Sequence, residues 1–126
     1  MLNFVGMTNE ELELKLKEVE SESEAKAKEL SAKFRVKVYP FSFYSVDRFI
    51  IGYLKEPARL DKMRAIDMFE QSRTQAGDLI LRTSLIIEES DKAILDESPD
   101  NDPVYLGAIN FAIKRVEIAA EMLKKK

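Results

Sequence analysis

The sequence predicts an α+β chain that is mostly helical: a charged N-terminal helix, one β-hairpin, then a bundle of about three helices. Three observations carry that prediction. Helix caps and apolar residues three or four apart recur over most of the chain. Alternation among β-branched and aromatic residues is confined to residues 34–54. Hydrophobic residues make up 45% of the 126 and charged residues 34%, enough apolar content for one core and too much for a disordered chain.

The first element covers residues 8–33. Thr8 and Glu11 form the Thr-x-x-Glu pattern of a capping box, which satisfies amides left open by the first turn. Glutamates crowd its start and lysines its end, as the helix dipole favours. Lys15, Lys17, Lys26, Lys28 and Lys33 each follow a glutamate by four positions, pairs worth about 0.2–0.5 kcal/mol apiece. Its apolar stripe is thin, formed by Leu12, Leu16, Val19, Leu30 and Phe34, and is interrupted where Ser23 and Lys26 fall. Such a helix gains little from a domain core. Residues 1–33 are therefore expected to protrude or to dock on another chain, and residues 34–126 to form one compact domain.

"FRVKVY", residues 34–39, alternates with Phe34, Val36 and Val38 on one face, a half-buried strand that Pro40 confines to an edge or bend. After a turn near Ser45–Asp47, "RFIIGYL" at 48–54 reads as the second strand. Glu56 is pushed out of helical geometry by Pro57, which itself suits a first helical turn. Leu60, Met63, Ile66 and Phe69 then give helical spacing over 57–71. Ser72 or Thr74 can cap a further helix over 75–88, although spacing alone leaves open whether 57–88 is two helices or one kinked rod. Residues 88–102 hold seven carboxylates and one lysine and read as a loop. Asp102 as N-cap and Pro103 at the first position open the last helix, 103–124.

That helix carries Leu106, Ile109, Ile113, Val116, Ala120 and Leu123 in a three-four seam, widened by Tyr105, Phe111, Ile118 and Met122. Stripes of this kind serve most often as core, yet the width here leaves surface for a neighbouring subunit. The candidate partner-binding residues are Leu12, Leu16 and Val19 on the first helix, with Leu106, Ile109, Ile113, Val116 and Leu123 on the last.

Composition removes several chemistries. There is no cysteine and no histidine, which excludes disulfides, thiolate zinc sites and the commonest general base. Asp96, Asp100 and Asp102 offer hard oxygen ligands, but the loop lacks the glycine and glutamate positions of a calcium-binding EF-hand. Glu88, Glu89 and Asp91 could pair for acid–base work only without histidine. The glycines at 6, 52, 77 and 107 are too scattered to cradle a phosphate. Arg59, Lys62 and Arg64 are clustered in sequence, yet Arg59 and Arg64 lie about 140° apart on a helix with Asp61, Asp67 and Glu70 among them. Tyr39, Phe41, Phe43 and Tyr44 resemble a base-stacking platform, but their alternation fits a core or interface better. Net charge is −3, giving no field to attract nucleic acid or anionic membrane. No apolar run approaches the ~20 residues of a membrane span, and "MLNFVGM" is too short for a signal peptide core. The expectation is a cytoplasmic, non-enzymatic protein without catalytic, cofactor or metal residues.

"YLKEP" contributes Tyr53, Leu54, Lys55 and Pro57, and "AGDLI" contributes Ala76, Gly77, Leu79 and Ile80. With the acidic stretch and "YLGAINFAIKRVEIAAEMLKKK", residues 34–126 resemble small phage and prophage proteins of the tail assembly chaperone kind. In those proteins an aromatic-Leu-basic-x-Pro strand end precedes a helix pair with an Ala-Gly-x-x-Leu-Leu-like element. The resemblance implies a protein of the bacterial host cytoplasm that binds hydrophobic tape measure segments and self-associates during tail assembly. A small structural virion protein, oligomerising through its terminal helices, is the alternative.

Overall fold

The computed structural model describes residues 8–45 and 47–124; the "MLNFVGM" start lies outside the described residues. Its order is helix α1 (Asn9–Phe34), strands β1 (Val38–Ser45) and β2 (Arg48–Lys55), then helices α2 (Arg59–Phe69), α3 (Arg73–Ser84) and α4 (Asp102–Lys124). This is the expected α+β, mostly helical arrangement. No helix among the described residues is long and apolar enough to cross a membrane.

The capping box of α1 is present in both directions: the Glu11 amide donates to Thr8 Oγ1 at 3.0 Å, and the Thr8 amide to Glu11 Oε1 at 3.4 Å. The helix then runs further than the alternation suggested. "FRVKVY" does not start a strand: Phe34 is the last helical residue, and Arg35 caps it in the left-handed region at φ 59°. The reason is local closure. The Val38 amide donates to Ser31 Oγ at 2.9 Å, so the chain turns back on the helix before extending. Val36 and Lys37 are exposed in that turn, and pairing begins at Val38.

β1 and β2 form a two-stranded antiparallel sheet, with Phe41 opposite Gly52 and Pro40 opposite Tyr53. Asp47 supplies the positive φ, 71°, in the connecting turn. Pro40 has no amide to donate and sits on the open edge, as a proline in a strand must. Because successive side chains face opposite sides, the hairpin separates two clusters. Val38 and Tyr53 pack with Ala27 and Leu30 of α1 and with Ile86. Phe41, Ile50 and Leu54 point the other way, into the main core with Ala76, Ile80 and Leu81 of α3 and Ala108, Ala112 and Val116 of α4. The hairpin is thus the middle layer between α1 and the α2–α4 bundle.

The outer edge of β2 is covered by residues 85–91. The third helix stops at Ser84, four residues before the expected end at 88, because Leu85 becomes extended and bridges to Leu54. The Ile86 amide then donates to the Tyr53 carbonyl at 2.9 Å, and the Asp91 amide to the Ile51 carbonyl at 2.9 Å. The Tyr53 amide donates to Ser90 Oγ at 3.0 Å. These bonds satisfy edge groups that helix continuation would have left open.

Residues 57–88 are two helices. α2 ends at Phe69, the Gln71 and Ser72 amides both donate to the Met68 carbonyl, and Ser72 Oγ accepts from the Gln75 amide to cap α3. Pro57 is not in the first turn of α2, since Ala58 is still extended at ψ 153°. Asp102 is not the N-cap expected of it either. A 3₁₀ turn over Pro99–Asn101 leads straight into α4, so Asp102 already has helical angles and Ser98 is the last extended residue.

Candidate functional site

The last turns of α4 and the first turns of α2 line a groove that encloses about 400 Å³. Its floor includes Ala65, Ile80 and Val116, each at most 2% exposed. Its rims are apolar and open: Met63 is 56% exposed, Met122 64% and Leu123 61%. Ile66 and Leu123 also line a shallower continuation towards Phe69 and Arg73. Methionine suits such a surface, because an unbranched, polarisable side chain adapts to different partners.

One end of the groove is polar. Tyr39 from β1 donates its phenol to Glu56 Oε1 at 2.6 Å, and Lys62 from α2 pairs with the other Glu56 oxygen. The Arg115 guanidinium lies over the Tyr39 ring, 4.0 Å from its centroid. Burial works to raise the Glu56 carboxyl, but the bonds from Lys62 and Tyr39 outweigh it and hold the group below its usual range. Burial and the neighbouring Glu56 push the Tyr39 phenol up, so it stays protonated as a donor. The network ties the hairpin to α2 and fixes the closed end. Arg59 and Arg115 make no ion pair among the described residues, leaving two guanidiniums able to receive carboxylates.

The residues singled out from sequence are dispersed. Leu123 lines the groove rim and Val116 its floor, and Leu106 is 54% exposed elsewhere on α4. Ile109 and Val116 are 3% and 2% exposed, so as folded they present a partner with almost no surface. Ile113 is half-buried against α3, where it closes over Gly77. The reason is a rotation of the seam: α4 buries Val104, Ala108, Ile109, Ala112 and Val116, a stripe rich in small residues that brings α3 close. Leu12, Leu16 and Val19 lie half-exposed on the first turns of α1 and belong to neither apolar cluster. The structure does not bring them to the groove of their own chain.

Of the other groove residues, Ile118 and Met122 belong to the apolar width already legible on the last helix, Met63 to the helical spacing of α2 and Tyr39 to the aromatic run of the hairpin. Glu56 and Arg115 carry no periodic signal.

The other candidate groups have local partners. Glu89 pairs with Lys26 at 2.7 Å, replacing the expected Glu22–Lys26 pair, and Asp91 with Arg48. Hydrogen bonding from Lys26 lowers the Glu89 carboxyl, and bonding from Arg48 lowers that of Asp91. Asp96 accepts from the Asn101 side chain at 2.5 Å, and among the described residues no group of three or more acidic side chains is placed to hold a metal ion. Phe41 and Phe43 stack with Phe111, at 5.2 and 5.8 Å between ring centroids, so they face α4 instead of a nucleic acid. Comparison with protein-family models, with curated proteins and with solved structures finds no match.

Proposed function

We propose that this chain is a non-enzymatic protein that captures an apolar helical or extended segment of another protein in the α2/α4 groove. The observation that carries the reading is the groove itself: open methionine and leucine rims around a buried floor, with Arg59 and the Tyr39-stacked Arg115 at one end. An open apolar groove is one of the recurring ways in which proteins receive the apolar face of an amphipathic helix. Combined with the resemblance of residues 34–126, the reading becomes a phage tail assembly chaperone whose ligand is a tape measure segment. It would act in the host cytoplasm.

Co-expression with a candidate tape measure protein tests this. The two should copurify, and Met63→Glu with Met122→Glu should abolish the complex while leaving thermal stability nearly unchanged, because both side chains are more than half exposed. Unaltered capture by the double variant would remove the groove from the mechanism. Mass spectrometry of purified particles separates the chaperone from the virion alternative: a chaperone is missing, and a structural component appears at fixed copy number.

A further inference from the structure

The groove and the acidic end of α1 are complementary, and we propose that the α1 arm of a second copy of this chain fills the groove when no other protein does. This rests on reading the groove as a protein-binding site, and it names one occupant. Leu12, Leu16 and Val19 lie within about 60° of one another around the helix, on a stripe that continues through Ser23, Ala27 and Leu30. The second half of the stripe is covered by the hairpin and residues 85–91, with Ser23, Ala27 and Leu30 at most 4% exposed. The first half has no apolar cover among the described residues. One continuous face is therefore half used.

Charge supplies the match. Residues 9–22 hold six glutamates and two lysines. At about 100° per residue, Glu13 and Glu20 flank the stripe on one side and Glu11 and Glu22 on the other. Glu13, Glu20 and Glu22 make no ion pair among the described residues. Among the residues lining the groove itself, Arg59, Lys62 and Arg115 stand against one carboxylate, Glu56, which Lys62 already neutralises; Glu70, Glu117 and Glu121, with Arg73 and Lys124, line only the shallower continuation. Length fits as well: residues 9–22 span about 21 Å as a helix and α2 about 16 Å.

The arm of the same copy does not reach. α1 is one unbroken helix whose later turns are fixed on one face of the hairpin, while α4 packs on the other. The occupant therefore comes from another molecule, and reciprocal exchange of two arms closes a two-fold dimer.

The chain has no cysteine, so single cysteines report the contact without background. Full-length Leu16→Cys and Met63→Cys proteins, mixed and oxidised, should form a disulfide heterodimer. The control pair Leu16→Cys with Lys92→Cys, exposed and outside the groove, should not. By light scattering the parent chain should be dimeric, and Leu16→Glu should weaken association about 10- to 100-fold, as losing one buried leucine contact would. Glu13→Lys with Glu20→Lys should weaken it too, and adding Arg59→Glu should restore it. A monomeric parent at high micromolar concentration, or crosslinking no better than the control, overturns the arm assignment. Leu16→Glu keeps the two readings apart: if it still captures an apolar helical peptide that protects Met63→Cys from alkylation, the groove stands without the arm.

Discussion

Replacing Gly52 by alanine should destabilise the protein, although alanine is the better strand residue. Gly52 has an ordinary negative φ, so its conformation alone would admit a side chain, and reduced unfolded-state freedom would favour alanine by about 0.5–1 kcal/mol. The opposing effect is steric. A Cβ built at Gly52 lies 2.2 Å from Phe41 Cζ and 2.6 and 2.8 Å from its two Cε atoms. The ring must retreat by about 1 Å to restore ordinary contact. It has little room: Phe41 is 4% exposed, and its ring centroid is 5.2 Å from that of Phe111. Overpacking of this kind costs about 1–3 kcal/mol, so against the gain the net loss should reach at most about 2.5 kcal/mol, lowering Tm by up to about 10 °C. Urea unfolding of Gly52→Ala, Phe41→Leu and the double variant separates the two effects. In the Phe41→Leu background the opposing ring is gone, and Gly52→Ala should become neutral or slightly stabilising. A stabilising Gly52→Ala in the parent, or an equal cost in both backgrounds, would refute the reasoning.

Three further outcomes follow from the same geometry. Ile109→Ala should cost about 2–5 kcal/mol, as core truncations do, whereas Leu106→Ala should stay within about 0.5 kcal/mol; chemical denaturation of both checks which face of α4 is buried. Asp91→Asn should lose about 1 kcal/mol, discounted for the half-exposed Arg48 partner. Because Asp91, Glu56 and Glu89 have lowered carboxyl pKa values, their contribution is complete above the unfolded-state value near pH 4 and is lost as pH falls through the lower folded values. Thermal melts should therefore show destabilisation on acidification below about pH 4, smaller in Asp91→Asn. Tyr39→Phe removes one of the bonds that hold Glu56 ionised, so an NMR titration should find the Glu56 carboxyl moved up towards the ordinary range.

The candidate site was only partly legible because periodicity reports which residues want burial and not what will cover them. Leu60, Met63, Ile66 and Phe69 have one spacing, yet Met63 is 56% exposed at a rim while Ile66 reaches the core. Likewise the three-four seam on α4 was displaced from the buried one. Gly77 and the alanines of α3 and α4 allow close approach, and that approach turns Val104 and Ala108 inward and leaves Leu106 outside. Small residues carry little hydrophobic signal, although they decide where helices can meet.

Local chemistry determined much of the rest. Thr8 and Glu11 fixed where α1 begins, Ser72 where α3 begins, and the β-branched run at 48–54 where β2 lies. Those features depend on bonds between near neighbours or on the intrinsic fit of a side chain to a strand, so they can be read along the chain. Tertiary structure decided what depends on distant partners. Residues 85–88 left the helix because the edge of β2 needed hydrogen bonds, supplied from more than 30 positions away. The Glu89–Lys26 pair and the groove between α2 and α4 arise in the same way. No spacing within either helix encodes the gap between them; it exists only once both have packed on α3.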